Sequence, residues 1–120
     1  MNIRDIAISE WNKLDREIQD RIHSPEGSTN FLTLLETDDY IVNWFMLEVL
    51  ENTRYLDEPV LQEVVRQETA SGVTVIYKLS DRFVSYFFEW GTDYPNHLND
   101  WKFVEKRVLM TPVETWVEIN

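Results

Sequence analysis

No cysteine occurs in the 120 residues, which removes a disulfide framework, a thiolate zinc site and a cysteine nucleophile together. Glycine is nearly as scarce. Gly27, Gly72 and Gly91 are the only three, and three scattered glycines cannot build a phosphate-cradling loop, which argues against a P-loop or dinucleotide fold. No apolar run approaches the roughly 20 residues needed to cross a bilayer. The nearest, IVNWFMLEVL at 41–50, is half that length and flanked by acids. The N-terminal stretch MNIRDIAISEWNKLDREIQDRI is charged throughout and lacks the apolar block of a signal peptide, so a cytoplasmic protein is the expectation.

Positive charge is also short. Eleven basic residues face 22 acidic ones, for a formal net charge of −11. The imbalance is uneven: between Pro25 and Gly72, Arg54 and Arg66 are the only bases, against ten acids. Such a field repels phosphate backbones and draws basic partners inward, so direct binding to nucleic acid or to an anionic membrane is not expected. Solubility alone is the plainer explanation for an acidic chain.

What is plentiful is apolar and aromatic surface. Hydrophobic residues make up 43% and aromatics 13%, with five tryptophans, far from the composition of a disordered chain. A chain of this length buries roughly 65% of its extended surface on folding. One domain over 1–120 with one core is the natural reading.

Ile3, Ala7, Trp11, Leu14, Ile18 and Ile22 recur at spacings of three and four and predict an amphipathic first helix, ended by His23-Ser24-Pro25-Glu26-Gly27. Phe31, Leu34 and Leu35 predict a short leading turn. Asp38-Asp39 then offers an N-cap to a main helix over about 39–55, buried nearly all round at its centre. Pro59 at a first helical position favours a helix over 59–69, although Val64-Val65 could equally begin a strand. From Gly72 the period changes to two. VTVIYKL and RFVSYFFEW around Ser80-Asp81 read as a hairpin whose second strand is apolar on both faces and therefore central. Residues 101–110 and 113–119 read as two further strands around Thr111-Pro112, the first alternatively a helix capped by Asp100. The expected fold is α+β: two or three N-terminal helices packed on a C-terminal antiparallel sheet of about four strands.

Few residues suggest chemistry. In GTDYPNHLND, Asp93, Tyr94, His97 and Asp100 could converge, with His97 oriented by a carboxylate for acid or base work. A histidine among Asn, Asp and Pro is also the ordinary content of an exposed turn, and the spacing matches no metal geometry. His23 needs no role beyond the end of a helix. No serine lies in a nucleophile-elbow context. Asp38-Asp39 and Asp57-Glu58 could hold a cation in a cleft, but both pairs stand at expected helix starts, where acids are favoured anyway. Trp11, Trp44 and Trp90 fit core positions. Trp116, between Glu114 and Glu118, is either core or the exposed ring of a binding patch.

Three function classes survive. The expected one is a small acidic binding protein, without enzymatic activity, cofactor or metal. It would be an immunity, antitoxin or inhibitor type that neutralises a basic protein such as a toxin or nuclease. Its contact residues would be Asp38, Asp39, Glu48, Glu51, Asp57, Glu58 and Trp116. The second is a small-molecule or enzymatic pocket between a curved sheet and the helices of a cone-like fold, lined by Tyr77, Tyr86, Asp93 and His97. The third is a nucleic-acid mimic, against which the aromatic content weighs.

Overall fold

The structure, a computed structural model, describes residues 2–22, 30–90, 101–108 and 114–119. The fold is α+β, with the helices in the first half of the chain and an antiparallel sheet in the second. Two compact units divide it, one helical up to Val60 and one of strands from Leu61.

In the helical unit α1 runs Ile3–Lys13 behind a capping box in which the Asp5 amide donates to Asn2 Oδ1 at 2.9 Å and the Asn2 amide donates back to Asp5 Oδ2. Its buried residues, Ile3, Ile6, Ala7 and Trp11, follow the helical period. The single first helix expected from the stripe is two helices. Leu14 and Asp15 adopt extended backbone, and α2 (Arg16–Arg21) starts again. The stripe carries through the break because Ile22 is still buried, and the Gln19 side-chain amide ties α2 back to the Trp11 carbonyl at 2.8 Å.

Helix α3 (Phe31–Thr37) is capped by Asn30, which accepts from the Thr33 amide at 3.1 Å. Asp38 ends α3 and caps α4 (Asp39–Trp44), accepting from the Tyr40 amide at 3.0 Å, as the sequence predicts. The main helix does not continue to Tyr55. From Phe45 to Leu50 it widens to a π-helix, in which i→i+5 bonds replace the α pattern. Five of those six residues are buried, all but Glu48. The rings of Trp11, Phe31 and Phe45 form the cluster between α1, α3 and α4, with centroids 4.7 Å (Trp11–Phe31) and 5.6 Å (Phe31–Phe45) apart. Trp44 is half-buried at its margin, 5.9 Å from Phe31.

Among the described residues the sheet unit holds five strands in the order β1-β2-β3-β4-β5, every neighbour antiparallel: β1 Leu61–Glu68, β2 Gly72–Leu79, β3 Arg82–Glu89, β4 Trp101–Val108 and β5 Glu114–Glu118. The expected hairpin is β2–β3, closed by the two residues Ser80-Asp81, with Ser80 at φ 56° in the left-handed region. The strand reading of 101–108 holds, and the helical alternative does not.

The helix favoured over 59–69 is corrected. LQEVVRQE is the edge strand β1, because β2 offers it a pairing partner through the turn Thr69–Gly72, where the Thr69 amide donates to the Gly72 carbonyl at 2.8 Å. Val64, expected on an apolar helix face, is the extra residue of a bulge between Glu63 and Val65 and stands 48% exposed. Charges and a bulge are what keep a sheet edge from pairing further. Trp90 is also corrected. It lies just past β3, 53% exposed, with its indole N–H donating to the Thr69 carbonyl at 3.1 Å, so it fastens the β1–β2 turn and does not fill the core.

Gly72 opens β2 where a methyl group would strike the Phe88 carbonyl oxygen and the Phe87 ring, whose nearest carbons lie 2.6 and 2.9 Å from the Cβ position. Gly72→Ala should therefore destabilise the protein by about 1–3 kcal/mol despite the better strand propensity of alanine. Urea unfolding would show this as a lowered midpoint with an unchanged slope.

Candidate functional site

The six acids singled out in the sequence all belong to the helical unit, along one helix and the turn after it. Asp38 and Asp39 stand at the start of α4, Glu48 lies in the π-helical turn, Glu51 ends that turn, and Asp57 and Glu58 follow before β1. At about 1.5 Å of rise per residue, the first pair and Glu48 are separated by roughly 14 Å along the axis. They are spread along the helix and the turn after it rather than gathered in one cluster. Among the described residues, no three His, Asp or Glu side chains gather as metal ligands.

The six acids are not equivalent. Asp38 is engaged as the cap of α4. Asp39 pairs with the Arg4 guanidinium, which also donates through Nε to the Leu35 carbonyl at 3.1 Å, so this ion pair joins α1 to the α3–α4 corner. Both pair members are part-exposed, and a pair of that kind contributes little stability by itself. Glu48 and Glu51 are half-buried and have partners of their own.

Asp57 and Glu58 differ from these. The sequence assigns them to the start of a helix, and that explanation fails because a strand follows. They stand exposed in a turn, behind the buried Leu56. Two adjacent carboxylates held in water with no cap to serve are the acids among the six most available to a partner.

Trp116 belongs to the sheet unit. It is half-buried, its ring 4.9 Å from that of Phe83. Tyr77 and Tyr86 share the opposite face of the sheet, both buried, with ring centroids 6.1 and 4.6 Å from Trp101. Their rings serve packing there. Asp93 and His97, the other expected pocket residues, lie outside the described residues, as does His23.

The lysines carry a pattern of their own. Lys102 and Lys106 alternate with Val104 along β4, a period-2 signal that was readable in the sequence. With β2 in register, Lys78 joins them on the face that holds Phe83 and Trp116.

Among the described residues, no helix is long and apolar enough to cross a membrane. No protein-family model, curated protein or solved structure matches this chain.

Proposed function

We propose that the chain is a small non-enzymatic binding protein of the immunity or inhibitor kind, which neutralises a basic protein partner through the acidic surface of its helical unit. The observation that carries this reading is the exposure of Asp57 and Glu58 in a turn that gives them no structural task. The charge around them supports it. Residues 1–60 hold thirteen acids against five bases, whereas 61–120 hold nine against six. A one-signed surface of this type accelerates encounter with an oppositely charged partner and disfavours anionic ones.

The acids supply field rather than anchors. Tyr55, half-buried two residues before Asp57 and with the Arg54 guanidinium 5.5 Å over its ring, is an aromatic group that binding could cover. An aromatic ring ringed by charge is the usual composition of an interface centre and rim.

Capture from a lysate of the source cells tests the proposal when the wild-type chain and the Asp57→Lys, Glu58→Lys double variant are run side by side. The expected result is a cationic protein retained by the wild type at low salt, released at high salt, and lost by the variant. Equal retention by both chains would refute the acidic surface as the binding site.

A further inference from the structure

Three of the chain's four lysines, Lys78, Lys102 and Lys106, stand exposed on one face of the sheet. The same face holds the half-buried rings of Phe83 and Trp116, in contact with each other, and the buried Ile76, Ser85 and Val104. One row crosses all five strands: Gln62 pairs with Lys78, Lys78 with Phe83, Phe83 with Val104, and Val104 with Glu118. In order it reads polar, cation, ring, aliphatic, anion. Both ends of its charge pattern are exposed, and among the described residues neither Lys78 nor Glu118 enters an ion pair.

We propose that this face is a two-fold, sheet-on-sheet interface with a second copy of the chain. A two-fold axis running along the strands between β3 and β4 brings Phe83 over the copy's Val104 and Lys78 over the copy's Glu118. Symmetry then repeats both contacts. With strands about 4.8 Å apart, Lys78 and Glu118 each sit roughly 7 Å from that axis, on opposite sides. Facing sheets rotate by about 30° as they pack, which shifts groups at that radius by about 4 Å, within the reach of a lysine stem.

Charge decides between a second copy and an anionic ligand. A nucleic-acid strand laid on the rings would meet Glu89 and Glu118 on the same face. A second copy instead sets each Lys78 against a Glu118, with Phe83 and Val104 between the two pairs.

Sedimentation velocity on the whole chain from about 1 to about 500 µM tests the proposal, the range in which a small interface associates. The wild type should pass from monomer to dimer across it. Lys78→Glu and Glu118→Lys should each weaken the dimer by about tenfold, since like charges then face each other twice, and combining them should restore it to within about threefold. Both positions are exposed, and unchanged thermal melts would show that the variants fold. A wild type that stays monomeric overturns the proposal, as do single variants that dimerise normally or a double variant that fails to recover.

Discussion

Phe45→Ala should lower the stability of the protein by about 3–5 kcal/mol, the range for deleting a fully buried ring. Phe45 is fully buried where α4 gives way to the π-helical turn, and it touches both neighbours of the cluster, with centroids 6.0 Å from Trp11 and 5.6 Å from Phe31. Removing it opens a cavity lined by rings from α1 and α3, and stiff helical backbone does not collapse to fill one. For a chain of this size the loss amounts to a fall of roughly 10–25 °C in Tm. The measurement is a thermal melt followed by circular dichroism, repeated with Phe45→Leu, which keeps most of the volume and should lose less than half as much.

In the sheet unit the corresponding position is Tyr86, fully buried on central strand β3, with its ring 4.6 Å from both Phe88 and Trp101. Tyr86→Ala should remove about 3–5 kcal/mol, while Tyr86→Phe, which retains every ring contact, should lose no more than about 1–1.5 kcal/mol. Urea unfolding of the two variants separates packing from hydroxyl chemistry. Equal losses would mean that the hydroxyl, not the ring, holds this part of the sheet.

How much of this was legible in the sequence depended on whether a segment's fate was local. The β2–β3 hairpin was readable because VTVIYKL and RFVSYFFEW alternate at period two around a two-residue turn, and no helical stripe competes. Asp38 was readable as a cap because capping is settled within three residues. Residues 61–68 were not, since Leu61, Val64 and Val65 satisfy a helical stripe as well as a strand. Pairing with β2 decided the outcome, and pairing is tertiary information. The same error hid the standing of Asp57 and Glu58: a misplaced helix supplied a structural excuse for two carboxylates that the fold leaves in solvent. The break at Leu14-Asp15 is not legible because Leu14, Ile18 and Ile22 keep the helical spacing in the sequence while the backbone turns extended between the two helices.

The lysine face shows the opposite limit. Lys78 lies opposite Phe83 because of a tight turn, which sequence can suggest, but Glu118 enters the same row only through two further pairings. Composition alone reported a strongly acidic chain. The fold reports one whose two units differ in charge, with the acids concentrated in the first and three of the four lysines on a single face of the second.

The acidic surface of the helical unit as a docking site is tested most directly by association kinetics. The cationic protein retained by the wild-type chain would be mixed in stopped flow with wild type and with the Asp57→Lys, Glu58→Lys variant over a range of ionic strengths. Exposed substitutions of this kind leave stability within about 0.5 kcal/mol, so both chains are compared folded. The account predicts that the wild-type association rate falls steeply as salt rises, and that the variant associates at least about tenfold more slowly at low salt, the two converging at high salt. Superimposable rates at every ionic strength would contradict it.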